Sequence, residues 1–168
     1  MKEDKREYKS ISIKDKFKLL AVKNKLFLKE EDVDLDTIKP GDIKFTFSIH
    51  VDFRIIYELG WFELDIIDLS LFQVIARLLH YTKQKPNTVE GTIGEWYKLT
   101  EERIMLECPF IPLSSDVAIR KRMKKLEDRD LLVACPKNSF HRFKYFRLGE
   151  NAELLSGTTK KESDIDNE

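Results

Sequence analysis

A strict alternation of apolar and polar side chains over residues 43–55 constrains the fold most, because a run of this period fits a sheet rather than a helix. Its apolar members are Ile43, Phe45, Phe47, Ile49, Val51, Phe53 and Ile55. Successive side chains of a strand point to opposite faces, so the run predicts a half-buried strand. Pro40 and Gly41 predict a turn before it, and residues 25–28 are its candidate sheet partner.

The N-terminal third also carries a helical pattern. Ser12 is a candidate N-cap for a short helix whose apolar side chains share one face, namely Ile13, Phe17, Leu20 and Ala21. We therefore expect residues 1–60 to form an N-terminal arm of one short helix and one long strand. Such an arm is a candidate for homodimer formation or for contact with another partner.

A core-facing helix is predicted after Gly60. Its apolar stripe follows the i, i+3, i+4, i+7, i+8 spacing and consists of Leu71, Val74, Ile75, Leu78 and Leu79. Asp68 or Ser70 is the expected N-cap, and the helix is expected to end near residue 81. The segment 83–94 contains a Pro-Asn pair and two glycines, which predict a loop.

A strand over residues 95–99 and two more helices are expected next. Thr100 caps the first helix, which Pro109 ends near residue 107. Ser114 or Ser115 caps the second, whose narrow apolar stripe is Ile119, Met123 and Leu126. Its other faces carry the basic side chains Arg120, Lys121, Arg122, Lys124 and Lys125. Residues 131–135 and 140–148 predict two strands joined by a turn at 136–139.

The segments 113–115, 119–127, 131–133 and 145–148 resemble winged helix-turn-helix domains, with the closest similarity to those of bacterial, phage and plasmid replication-initiation and regulatory proteins. The resemblance covers about half of the chain. It implies an α+β fold in which residues 61–148 are the winged-helix domain. The family usually has a glycine before the strand that follows the third helix, whereas Asp130 stands here. Asp tolerates left-handed backbone, so we expect the turn to be kept.

The resemblance implies that double-stranded DNA is the partner and that the third helix enters the major groove. Its candidate contact residues are Ser114, Ser115, Asp116, Ala118, Arg120, Lys121, Lys124 and Lys125. Those near the helix N-terminus are placed to read bases, and Lys124 and Lys125 to contact phosphates. The wing is expected to contribute Lys137, Asn138, His141, Arg142 and Lys144.

The charges of the chain are arranged in opposing blocks. With 30 Lys+Arg and 30 Asp+Glu, the formal net charge is zero, which excludes a generic polycation. Residues 1–29 nevertheless carry +6, residues 30–68 carry −8 and residues 118–148 carry +7. A local basic face therefore remains, and it coincides with the third helix and the wing. The acidic block could instead cover that face, which would make the domain a protein-interaction module without DNA binding.

Catalytic and metal-binding motifs are absent from the sequence. The three histidines lie on separate predicted elements, and no glycine-rich phosphate loop or nucleophile motif occurs. Cys135 and His141 flank the predicted hairpin turn, but two potential ligands do not make a zinc site. Cys108 and Cys135 show no spacing typical of a disulfide framework. We therefore expect no enzyme activity, no cofactor and no small-molecule substrate.

The ends of the chain complete the expectations. The N-terminus lacks the apolar region of a signal peptide, and no apolar run is long enough to cross a membrane, so a cytoplasmic protein without membrane contact is expected. Residues 149–168 are rich in acidic side chains and are expected to form a disordered tail.

Overall fold

The structure is a computed structural model, and it describes residues 11–39, 41–43, 49–80, 85–138 and 144–155. Within these ranges the chain forms a mixed α+β fold with six α-helices and a three-stranded antiparallel sheet. The helices are α1 (Ile13–Lys23), α2 (Phe53–Leu59), α3 (Ile66–His80), α4 (Glu101–Glu107), α5 (Asp116–Asp128) and α6 (Ala152–Leu155). The strands are β1 (Tyr97–Lys98), β2 (Leu132–Ala134) and β3 (Tyr145–Leu148).

Helix α1 begins where Ser12 predicts it. The Ser12 hydroxyl accepts the backbone N–H of Asp15, and the Asp15 carboxylate accepts the backbone N–H of Ser12 in return. This reciprocal pair satisfies two N–H groups that the helix start would otherwise leave without partners. Leu20 and Ala21 are buried, as their position on the apolar face predicts, whereas Ile13 is exposed.

The long strand predicted over residues 43–55 is wrong in its last part, because Phe53 begins α2. Residues 44–48 lie outside the described residues, and residues 49–52 have no regular secondary structure. The Asp52 carboxylate accepts the N–H of Arg54, and Gly60 ends the helix with a left-handed φ of 66°. A capped start and a glycine stop favour the helix. Residues 25–28, the predicted sheet partner, form a turn and bend.

Helix α3 forms the centre of the main core. All five predicted stripe residues are buried, and Phe72 is buried beside them. The predicted N-cap at Asp68 or Ser70 is wrong, because the helix begins at Ile66. The Asp65 carboxylate accepts the N–H groups of Ile67 and Asp68, while Asp68 accepts the N–H of Asp65. The cap therefore lies one turn earlier than the apolar stripe indicates.

The second half of the chain follows the predicted order. Strand β1 is shorter than expected, and the Thr100 hydroxyl caps α4 by accepting the N–H of Arg103. Strand β3 lies between β1 and β2 in the sheet, with Tyr97 opposite Phe146 and Leu132 opposite Leu148. Asp130 has a φ of 52°, which confirms the expected left-handed turn between α5 and β2.

The prediction of disorder from residue 149 onward is wrong for residues 149–155. The N–H of Gly149 donates to Leu131, and the Asn151 side-chain amide donates to the carbonyl of Arg129. Ala152 of α6 is buried in the main core. Backbone hydrogen bonds and this small apolar contact hold the segment against the turn at Asp130. Residues 156–168 lie outside the described residues.

Two smaller clusters attach the periphery to this core. Leu20, Ala21, Val33 and Ile43 surround Leu106 of α4, so the N-terminal arm packs on α4. Val89, Trp96 and Cys135 form the other cluster under the β2–β3 hairpin. The two tryptophans of the chain, Trp61 and Trp96, are both buried.

Candidate nucleic-acid interface

Helix α5 buries one narrow side and exposes the rest. Ile119, Met123 and Leu126 are buried in the main core, which confirms the predicted stripe. Arg120, Lys121 and Lys124 lie on the exposed part of the helix. The element is thus held from one side only, and its opposite side presents three cationic side chains to solvent.

The residues at the start of α5 have defined local roles. The Ser115 hydroxyl caps the helix by accepting the N–H of Ala118 at 3.2 Å, which settles the choice between Ser114 and Ser115. Ala118 is half-buried and packs against the main core. The carbonyl of Ser114 accepts the N–H of Ile11 at 2.8 Å, which ties the start of the N-terminal arm to this end of α5. Asp116 lies 3.6 Å from a guanidinium nitrogen of Arg120.

The exposed cations of α5 differ in their partners. The Arg120 Nε donates to Glu101 at 2.8 Å, which links α5 to the first turn of α4. Lys124 lies 3.0 Å from Asp128 and 3.8 Å from Glu127 on its own helix. The hydrogen bond to Asp128 raises the pKa of Lys124. Lys121 forms no ion pair with any other described residue. Exposed pairs of this kind contribute little to stability, so the cations can exchange their partners for other anions.

Three acidic side chains at the start of α3, which we call the acidic clamp, are Glu63, Asp65 and Asp68. Asp68 is fully buried and accepts hydrogen bonds from Arg122 at 2.7 Å and from Lys125 at 2.8 Å. Asp65 accepts a further bond from Arg122 at 2.8 Å. Glu63 pairs with Arg129. The clamp neutralises the side of α5 that faces α3.

The clamp also alters the ionisation of its members. Burial alone would raise the pKa of Asp65, but the bonds from Arg122 and from backbone amides outweigh it, and the pKa lies below the usual 3.8. The hydrogen bond to Asp65 raises the pKa of Arg122 in turn. The pair of Asp65 and Arg122 thus favours the charged form of both side chains. It links α3 and α5 electrostatically.

Sequence reasoning missed the clamp. Arg122 and Lys125 were assigned to the solvent-facing basic surface, although both reach back to α3. The available signal was the Asp65–Asp68 pair, since two acidic side chains three residues apart before an apolar stripe are typical of a helix start. Their second role, as partners of α5, depends on how the two helices pack.

The hairpin contains the predicted wing residues that the structure describes. Asn138 uses its amide to close the hairpin, accepting the N–H of Tyr145 at 2.7 Å and donating to its carbonyl at 2.9 Å. The Lys144 ammonium donates to the carbonyl of Asn138, and Lys137 lies against Gly91. His141 and Arg142 lie outside the described residues. Asn138 is thus a structural residue of the turn, and Lys137 and Lys144 supply the positive charge here.

Other candidate chemistry has little geometric support in the described part of the chain. Cys108 and Cys135 are free thiols and both are buried. No group of three metal-ligating side chains occurs among the described residues. Within the same ranges, no helix combines the length and apolar character needed to cross a bilayer.

Comparisons of the chain with protein-family models, with curated proteins and with solved structures found no match.

Proposed function

We propose that residues 61–148 are a winged helix-turn-helix domain that binds double-stranded DNA, in replication initiation or in transcriptional regulation. The observation that carries this proposal is the placement of α5. The helix buries only Ile119, Met123 and Leu126, exposes a basic surface, and is followed directly by a hairpin with further basic side chains.

The connectivity supports the same proposal. The order α3, β1, α4, α5, β2, β3 is the order of a winged helix, and a sheet with β3 between β1 and β2 is compatible with that fold. A short turn separates α4 from α5, as in a helix-turn-helix, whose second helix occupies the major groove. A fold alone does not define a function, so the argument rests on the exposed side chains of α5.

The exposed cations divide into two roles in this proposal. Arg120 and Lys121 lie near the N-terminal end of α5, where they contact base edges, whereas Lys124 contacts phosphate. A bidentate Arg–guanine contact is worth about 1–3 kcal/mol of discrimination. The exposed pair of Arg120 with Glu101 is worth about 1 kcal/mol or less. The weak pair with Glu101 is therefore no large barrier to a contact between Arg120 and guanine.

Lys125 takes a different role from the one its sequence position predicts. Its ammonium lies 2.8 Å from the fully buried Asp68, and withdrawing it would leave a buried carboxylate with one cation fewer. Removing one partner of a buried pair costs several kcal/mol. We therefore assign Lys125 to the acidic clamp and leave the phosphate contact of α5 to Lys124.

A protein-interaction module without DNA binding is the second candidate. It is favoured by the acidic clamp, which pairs with Arg122, Lys125 and Arg129 and so covers part of the basic surface. The clamp belongs to residues 30–68, the segment with a net charge of −8. This agrees with the alternative that the acidic segment covers the basic face. Homodimer formation through residues 1–60 stays a prediction in both cases.

Binding of a random-sequence duplex pool by the full chain tests the proposal. We expect binding that weakens steeply as salt rises from about 50 to 200 mM, because phosphate contacts release counterions. Rounds of selection from the pool should enrich a defined sequence. The variant Lys121→Gln plus Lys124→Gln should weaken binding by about tenfold or more at low salt, and Arg120→Ala should relax the preference at one base position.

A matched control removes the same charge elsewhere. Lys39 and Arg54 are exposed side chains outside α5 and the hairpin. The variant Lys39→Gln plus Arg54→Gln has the same net charge as the α5 variant and should bind nearly as well as the unaltered chain. Equal losses in the two variants, or no binding at low salt, would refute the proposed function and favour the interaction module.

A further inference from the structure

The N-terminal arm is fastened beside the start of α5. The N–H of Ile11 donates to the carbonyl of Ser114, the residue just before the α5 cap. One turn into α1, the buried Lys16 ammonium donates to the carbonyl of Ile111 at 3.1 Å. Phe17 packs edge-to-face on Phe110 with ring centroids 5.3 Å apart. Three contacts of different kinds therefore hold α1 against the turn that joins α4 to α5.

This attachment brings the first exposed lysine of α1 close to the proposed interface. Lys14 follows Ile11 by three residues, and a three-residue span covers at most about 11 Å even when extended. Lys14 and Lys18 are one helical turn apart and share a face. Lys14 is exposed and Lys18 is half-exposed. Lys14 therefore lies near the start of α5, and Lys18 continues the same face one turn further along α1.

The lysines in and after α1 differ from the cations of α5 in their partners. Lys14, Lys18, Lys23, Lys25 and Lys29 form no ion pair with other described residues. The α5 cations are mostly paired, either with the acidic clamp or with carboxylates of α4 and α5. The one acidic side chain of α1, Asp15, is engaged in the N-terminal cap. Among the described residues, no carboxylate is paired with the lysines on the exposed face of α1.

From this placement and this charge we infer that the Lys14–Lys18 face of α1 is a second contact surface for duplex DNA, binding the phosphate backbone next to the groove that α5 occupies. The inference rests on the proposed function and extends it to the N-terminal arm. The partner follows from charge complementarity, because a duplex carries a negative charge about every 1.7 Å along its axis. The contact adds affinity without reading sequence.

The α1 surface also explains how a neutral protein could bind a polyanion. The clamp engages Arg122 and Lys125, so these two cations are not available on the exposed surface of α5. The lysines of α1 supply further cations near the start of α5, while acidic side chains elsewhere keep the formal net charge at zero. Affinity then depends on where the cations lie rather than on the net charge of the chain.

The test compares three double variants of the full chain on one selected duplex over a salt series: one on α1, one on α5 (Lys121→Gln plus Lys124→Gln) and one control. Lys14→Gln plus Lys18→Gln should keep the selected sequence but lower the slope of log K against log salt by about 1.8, since each lost phosphate contact removes about 0.9. The control Lys39→Gln plus Arg54→Gln should leave the slope unchanged. Circular dichroism and urea unfolding should show all three variants folded, because the changed side chains are exposed.

The outcomes separate the two proposals. An unchanged slope in the α1 variant, together with a lost affinity in Lys121→Gln plus Lys124→Gln, would overturn the α1 contact and leave the proposed function standing. Failure of the unaltered chain to bind any duplex would overturn both. Binding of the unaltered chain to anionic lipid vesicles, lost in the α1 variant while duplex binding is retained, would assign the surface to membranes and overturn the inference.

Discussion

Lys16 is an unusual residue for the interior of a small protein. Its side chain is buried, and the carbonyl of Ile111 accepts a hydrogen bond from its ammonium. Burial lowers the pKa of Lys16 below the usual 10.5, and the neighbouring Cys108 acts in the opposite direction. Burying a charge is costly even when one hydrogen bond is kept. Lys16 therefore fixes the position of α1 but lowers the free energy of unfolding.

The pH dependence of unfolding tests this view. Between the lowered pKa of folded Lys16 and 10.5, the unfolded chain binds the proton more tightly than the folded chain does. The free energy of unfolding should therefore rise with pH through this window. In Lys16→Met the rise should be absent, and stability near neutral pH should be equal to or higher than that of the unaltered chain. Urea unfolding at several pH values between about 7 and 10 measures both effects.

Cys108 must be controlled in that experiment. Burial raises the pKa of the Cys108 thiol above 9.0, so its own contribution to stability falls as pH rises through that region. Both chains are therefore compared in a Cys108→Ala background. If the free energy of unfolding changed with pH by the same slope with Lys16 and with Lys16→Met, protonation of Lys16 would not contribute to the pH dependence of stability.

At the scale of elements, the end of β3 and the turn after α5 approach each other closely at Gly149. A Cβ added at Gly149 would overlap the backbone carbonyl of Asp130 and its side chain. The N–H of Asn151 donates to that same carbonyl, and Asp130 adopts a left-handed conformation. The turn at Asp130 and the segment 149–155 therefore stabilise each other through hydrogen bonds. The missing side chain of Gly149 allows the two backbones to come this close.

Gly149→Ala is expected to lower the free energy of unfolding by about 1–3 kcal/mol, because neither backbone segment can move away without losing hydrogen bonds. The neighbouring Glu150→Ala is the matched control, since its side chain is exposed and its backbone bond to Asp130 is kept. It should change stability by less than about 0.5 kcal/mol. Equal effects of the two changes in urea unfolding would contradict the close approach.

At the scale of the whole molecule, the zero net charge is a balance between surfaces that face different ways. The acidic clamp meets the inner side of α5, whereas Arg120, Lys121 and Lys124 point outward. The N-terminal arm contributes an excess of lysines on α1. The basic side chains of α5 are thus divided between those that pair with the clamp and those that face solvent. Net charge alone would hide this arrangement.

Releasing one masked cation should increase DNA affinity. Glu63→Gln frees Arg129, whose partner in the structure is Glu63. Because the pair is exposed and weak, we expect duplex affinity at low salt to rise by up to about fivefold, with a steeper salt dependence. Glu58→Gln, which removes one negative charge on α2, is the control and should have less effect. An equal increase in duplex affinity in the two variants would show that the lower number of negative charges, and not the release of Arg129, causes the effect.

The sequence predicted the second half of the fold well, since its elements depend on local rules. The stripe of α3 and that of α5, the caps at Thr100 and Ser115, and the left-handed turn at Asp130 are confirmed. Each depends on a few neighbouring residues: a hydroxyl that accepts a nearby N–H, or an apolar residue that recurs every turn. The winged-helix assignment and the DNA-contact residues stay predictions.

The failed predictions share a dependence on tertiary contacts. Alternation over residues 43–55 indicated a strand, yet Ile56 is buried in the main core as part of α2, and Asp52 and Gly60 bound that helix. The composition of residues 149–168 indicated disorder, yet Ala152 is buried and Gly149 is bonded to Leu131. Pattern and composition do not reveal which distant backbone offers a partner.

By itself, the sequence determined which side chains of α5 are apolar and where its helix starts, because helical period and capping act within one turn. The tertiary structure decided which of the remaining cations are available. Arg122 and Lys125 lie on the same helix as Lys121 and Lys124, but Asp68, more than fifty residues away in the chain, holds the first two. Charge pairing falls off with distance in space, and only packing brings those carboxylates within reach.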